Sequence, residues 1–116
     1  MLTSFDGIPE NVEGIKLVKC KKIQNLEGIP ETVNDISLVS LSSFDSLSGC
    51  PKKLNDNMYI LDCKNLNTLT YSPSLILGNY EVEDCFLYQL DMTNCRICGN
   101  FKLVNNQLND LQNGPY

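Results

Sequence analysis

The chain contains no histidine and no tryptophan. Without imidazole, Ser-His and Cys-His nucleophilic pairs, His-ligated metal sites and imidazole acid-base catalysis are all excluded. No stretch approaches the ~20 consecutive apolar residues that a membrane-spanning helix needs. The opening Met1-Leu2-Thr3-Ser4-Phe5-Asp6 lacks a basic segment followed by an apolar one, so no secretory signal is visible, and there is no Asn-x-Ser/Thr sequon. A cytoplasmic site, in the producing or an infected cell, is the expectation. Nine basic residues against fourteen acidic ones give a net charge of −5. That balance disfavours a phosphate-binding footprint, so nucleic acid is not expected as a partner.

What is present is a repeat. Leu2-x-x-Phe5-x-Gly7-x-Pro9-x-x-Val12 returns as Ile23-x-x-Leu26-x-Gly28-x-Pro30-x-x-Val33 and as Phe44-x-x-Leu47-x-Gly49-x-Pro51-x-x-Leu54. The shift is 21 residues each time. A fourth copy, Leu66-x-x-Leu69-x-Tyr71-x-Pro73-x-x-Ile76, follows after 22. Each copy precedes an alternating pattern: Ile15-x-Leu17-x-x-Cys20, Ile36-x-Leu38-x-x-Leu41, Met58-x-Ile60-x-x-Cys63 and Tyr80-x-Val82-x-x-Cys85. The fifth reads Phe101-Lys102-Leu103-Val104-Asn105-Asn106-Gln107-Leu108, of the form LxLxxNxL. Period-2 alternation marks a short strand with one buried face, and one strand per repeat stacks into a parallel sheet at about 4.8 Å per coil. Strands are expected at 15–18, 36–39, 58–61, 80–83 and 101–104. Glycine permits a sharp bend and the proline two residues later fixes φ, so the Gly-x-Pro half of each repeat reads as a turn rather than a helix.

This pattern resembles the leucine-rich repeats, whose signature is LxLxxN/CxL, and the resemblance covers essentially residues 1–116 as one domain. The short period and the Pro-x-x-Val half are similar to repeats of bacterial effectors and to phage-encoded repeats. The resemblance implies a β-rich solenoid of about five coils, with a parallel sheet on the concave face and extended or 3₁₀ segments on the convex face. It also implies that Cys20, Leu41, Cys63, Cys85 and Asn106 form the interior column where such repeats place a residue that caps the loop backbone. The fifth repeat departs from the pattern, because Met92 to Ile97 lacks Gly-x-Pro. A ligase domain of the kind some effectors append is not expected, so the resemblance does not carry over ligase activity.

Few residues could carry chemistry. Cys20, Cys63 and Cys85 are expected to be buried, reduced thiols, with a Cys63–Cys85 disulfide across neighbouring coils as the alternative. Cys95-Arg96-Ile97-Cys98 has the spacing of a redox motif, but Gly99-Asn100 and a strand follow it where a helix would be required. Both cysteines are expected to pack the irregular back of the fifth repeat. A zinc site would need two further ligands, and only Cys50 is left unassigned. Asp62, Glu81, Glu83 and Asp84 form a small acidic cluster without the glycine and oxygen spacing of a calcium loop. It reads as a solvated face or a contact for a basic partner. Lys16, Lys19, Lys21 and Lys22 gather on the first strand and its exit, where charge discourages unwanted sheet extension. No enzyme activity, metal or cofactor is expected.

The residues between and after the strand leucines should point outward. They form one column of Lys16, Ser37, Tyr59, Glu81 and Lys102, and a second of Val18, Val39, Leu61, Glu83 and Val104. Four of the five in the second column are apolar, which suits either a strand in general or a recognition surface in particular. The expected function is a non-enzymatic protein-binding module whose partner docks on these ten residues. By the resemblance, it is a virus- or bacterium-encoded factor that inhibits a host or defence protein. The alternative is a structural solenoid that associates with itself through an uncapped terminal coil, forming a homodimer.

Overall fold

The computed structural model describes residues 13–87, 92 and 94–104. Eight strands lie in these segments: β1 (Gly14–Val18), β2 (Asp35–Val39), β3 (Lys53–Leu54), β4 (Met58–Leu61), β5 (Leu75–Ile76), β6 (Tyr80–Glu83), β7 (Arg96–Ile97) and β8 (Phe101–Val104). They form two parallel sheets, a five-stranded one in the order β1-β2-β4-β6-β8 and a three-stranded one in the order β3-β5-β7. The described residues thus form a β-solenoid of about four turns where about five coils were expected, with no helix among them. The five long strands begin within one residue of the positions expected from the alternation. Their registers align Lys16, Ser37, Tyr59, Glu81 and Lys102 in one row, and Val18, Val39, Leu61, Glu83 and Val104 in another.

Alternation builds this sheet because each strand buries every second residue. Ile15, Leu17, Ile36, Leu38, Met58, Ile60, Tyr80 and Val82 join one continuous core. Ile23, Leu26, Val33, Phe44, Leu47, Leu54, Leu66, Leu69 and Ile76 complete it from the other half of each turn. Tyr80 is fully buried, and its hydroxyl lies 2.8 Å from Ser72 Oγ, so the one polar atom of a large core ring is satisfied. Its ring meets Phe101 edge-on at 5.5 Å.

The back of the solenoid is extended, as expected, and its short strands pair from coil to coil: Lys53 and Leu54 of β3 with Leu75 and Ile76 of β5, and these in turn with Arg96 and Ile97 of β7. The bend itself is as expected: Gly28 and Gly49 have φ of 98° and 91°. Gly49 is also packed so closely that a Cβ would collide with the backbone of Leu26 and Glu27 one coil earlier. Tyr71 takes the corresponding place in the next coil at φ 72°, an uncommon conformation for a bulky residue.

The last described coil, which departs from the Gly-x-Pro pattern, stays in register by compensation. In earlier coils a backbone N–H bonds three residues back, Ile29 to Leu26, Cys50 to Leu47 and Ser72 to Leu69, and here Cys95 bonds Met92 in the same way. Met92 therefore occupies the core place of Leu69 although it follows Leu87 by five residues, where Leu69 follows Leu66 by three. Two residues are lost again before β7, at the missing Pro position. Ile97 consequently still pairs with Ile76.

Two cysteine assignments change. Cys63 and Cys85 are fully buried, but Cys20 is only half-buried on the first described coil. Cys95 is buried while Cys98 is exposed, because it follows the outward turn at the end of β7. The expected first half-repeat over 2–12, Asn106 and the terminal coil ends lie outside the described residues.

Candidate functional site

The outer face of the five-stranded sheet collects all ten residues singled out from the sequence. Eight lie on the side opposite the core, as the alternating burial of β1, β2, β4 and β6 shows, and Lys102 and Val104 of β8 continue the two rows in register. Val18 is the most open apolar residue among them, at 45% exposure, while Val39, Leu61 and Val104 are half-buried by their neighbours. Three aliphatic side chains thus lie side by side in adjacent rungs, Val18 beside Val39 beside Leu61.

Tyr59 is anchored rather than loose. Its hydroxyl donates to Glu83 Oε2 at 2.9 Å, two positions further along the next strand. Donation to that carboxylate, then burial and the negative charge of Glu83, Glu81 and Asp84, raises the phenol above its ordinary range, so Tyr59 stays a neutral donor. The bond fixes the ring over the β4–β6 junction, and a pre-ordered aromatic loses less rotamer freedom on binding.

Every strand of this sheet up to β6 leaves through a left-handed residue. Lys19, Ser40, Asp62 and Asp84 have φ of 56–57°, and their N–H groups bond to Val39, Leu61, Glu83 and Val104 respectively. Short polar side chains tolerate this conformation, and Asp62 uses it to accept from Ser40 Oγ at 3.0 Å. Lys64 lies 3.4 Å from Asp62, donates to the Asp84 carbonyl at 2.8 Å and sits 5.2 Å over the Phe86 ring. The acidic cluster is therefore partly knit into the turn. Among the described residues, no group of three or more Cys, Asp or Glu side chains is arranged to hold a metal ion.

No protein-family model, curated protein or solved structure matches the chain. The functional reading rests on the geometry of its faces.

The Cys95-Arg96-Ile97-Cys98 segment has its two central residues on β7, with Cys95 turned into the core. Burial pushes the Cys95 thiol up to about 11 and the Cys50 thiol up to about 12, so neither is a thiolate at neutral pH. The Cys63 thiol is raised by its hydrogen bond to Cys85 and by burial, and it also approaches the Leu61 and Leu38 carbonyls. These sulfurs act as weak caps for backbone oxygens at the strand exits, with Cys85 reaching Glu83 at 3.5 Å.

A second polar column escaped the sequence reading. Asp35, Asn57, Asn79 and Asn100 stand at the entry to β2, β4, β6 and β8. Asn79 N–H donates to Asn57 Oδ1 and Asn100 N–H to Asn79 Oδ1, both at 2.8 Å, while Asp35 accepts from the Asn57 N–H. The ladder explains Gly78 and Gly99. A Cβ on Gly78 would press on Asn57 Oδ1 and lie 2.7 Å from the Asp56 carbonyl, and one on Gly99 would press on Asn79 Oδ1. The signal was available as an Asx at 35, 57, 79 and 100, spaced like the repeat itself.

Proposed function

We propose that the chain is a non-enzymatic protein-binding module that works as a leucine-rich-repeat-like solenoid, docking a protein partner on the outer face of its five-stranded sheet. The observation that carries this reading is the contiguous strip of Val18, Val39 and Leu61 with the anchored Tyr59 at its side, an apolar patch edged by charge. Aromatic and aliphatic anchors supply most interface energy when surrounding contacts exclude water. Glu81, Glu83, Lys16 and Lys102, with Ser37 and Val104, edge the patch and tune encounter and specificity. A factor that occupies a host or defence protein, acting in the cytoplasm without cofactor or metal, suits such a surface.

The test is capture followed by mutation. A protein retained by the wild-type chain is purified and its affinity measured against the double variant Tyr59→Ala, Leu61→Asp. A loss of at least ~2 kcal/mol, about thirty-fold, is expected. Unchanged affinity overturns the assignment of this face.

A further inference from the structure

From β1 to β6 the charges on the outer face are segregated along the solenoid axis, with Lys102 beyond them on β8 in register with Glu81. Lys16 and Lys19 stand on β1 and its exit, while Glu81 and Asp84 stand at the same two places on β6. Between them, β2 and β4 carry Ser37 and Val39 against Tyr59 and Leu61. Rotation by 180° about an axis parallel to the strands, midway between β2 and β4, reverses the order of the coils and keeps each position along the strand. It sets Lys16 opposite Glu81, Lys19 opposite Asp84 and Val39 opposite Leu61.

We infer that this face pairs with a second copy of the chain across such a twofold axis, with β1 of one copy over β6 of the other. An isologous contact repeats every pair, so the two Lys–acid pairs become four, and the Val39–Leu61 contact occurs twice beside the axis. The other face-to-face arrangement, with the axis along the coil stack, sets Lys16 and Lys19 near their own copies and Glu81 and Glu83 near theirs. Like charges so placed disfavour it. Among the described residues no ion pair engages Lys16, Lys19 or Glu81 within one copy, so pairing breaks no existing bridge of theirs. The one mismatch, Val18 over Glu83, is softened because the Glu83 carboxylate already accepts from Tyr59.

Area sets the strength. Four strands about 4.8 Å apart and roughly 16 Å long present about 300 Å², and side-chain relief brings this to roughly 500 Å² per copy. A standard stable interface covers about 800 Å² per partner. The dimer is therefore weak, forming in the range of roughly 10 µM to 1 mM, and its electrostatic share makes it weaken with salt. It shares with the function proposed above only the reading of this face as a docking surface, and it needs no foreign partner.

Sedimentation equilibrium of the full chain from 10 µM to 1 mM tests it with charge exchange. Lys16→Glu and Glu81→Lys, each alone, should raise the dimer dissociation constant at least tenfold, because every dimer then holds two like-charge contacts. Mixed one to one, the two single variants should restore dimers, since each charge again meets its opposite. Circular dichroism checks that both fold, and if either does not, Lys16→Gln and Glu81→Gln serve in its place, each expected to weaken the dimer severalfold. A wild-type chain monomeric to 1 mM, or a mixture of variants no more associated than its components, overturns the inference. Self-association that persists without any captured foreign protein would leave this pairing standing while removing the foreign-partner reading.

Discussion

At the scale of single residues, the Asx column has one odd member. Asp35 carries a carboxylate where Asn57, Asn79 and Asn100 carry amides, and burial, then repulsion from Asp56, raises its pKa above the ordinary 3.8 despite the Asn57 N–H. A carboxyl whose pKa is raised on folding adds stability that is fully present below its ordinary value and is lost as pH rises through the folded one. Above that window, the ionised Asp35 works against the fold. Asp35→Asn keeps an oxygen to accept from Asn57 and removes the charge. It should raise the urea midpoint at pH 7 by a gain of at most ~0.5 kcal/mol, given solvent screening of a half-exposed group. Near pH 3 the gain should vanish, and a gain equal at both pH values would show that charge is not the cause. The thiols permit a second residue-level prediction. A thiol reagent at neutral pH should label exposed Cys98 quickly and Cys63, Cys85 and Cys95 only as fast as the protein opens. Rapid modification of Cys63 or Cys85 in the folded chain would contradict their place in the core.

Individual elements were legible to very different degrees. The strands of the large sheet were readable because a buried face imposes strict alternation, and Ile15-x-Leu17 or Met58-x-Ile60 can satisfy it in only one register. The glycine bend was readable too, since Gly28 and Gly49 need positive φ. The back was readable as extended, but its strand pairing was not, because two-residue pairings such as Lys53–Leu54 with Leu75–Ile76 leave no periodicity to detect. Nor was the exit turn, where Lys19, Ser40, Asp62 and Asp84 share a backbone conformation although only the last two share a side chain. The Asx ladder had a visible spacing, but Asp and Asn before a strand read as ordinary turn residues. Its demands can be measured. Gly99→Ala drives a methyl into Asn79 Oδ1 and the Gly78 backbone, and should cost at least ~2 kcal/mol in denaturant unfolding. Gly14→Ala, whose Cβ would meet nothing closer than 3.5 Å, should change stability by less than ~1 kcal/mol. Equal effects of the two would remove the ladder as the reason for glycine at 99.

For the whole molecule, the sequence indicated which residues share a face, because register follows from the repeat. It could not indicate how those side chains restrain one another. That Tyr59 is tied to Glu83, and that Lys64 bridges Asp62 and the Asp84 carbonyl, depends on contacts between coils that a linear reading does not contain. The proposed docking face can be set against the opposite side of the solenoid. Leu77 supplies the comparison, since it is 43% exposed and follows β5 in the other half of the coil, away from the large sheet. The decisive measurement is titration calorimetry of the captured partner against two chains of equal fold, Tyr59→Ala with Leu61→Asp on one side and Leu77→Asp on the other. Binding through the outer sheet face predicts about thirty-fold weaker affinity for the first and a change within about twofold for the second. The reverse result, with Leu77→Asp losing the partner and the double variant keeping it, would move the docking surface to the back of the coil and contradict the account.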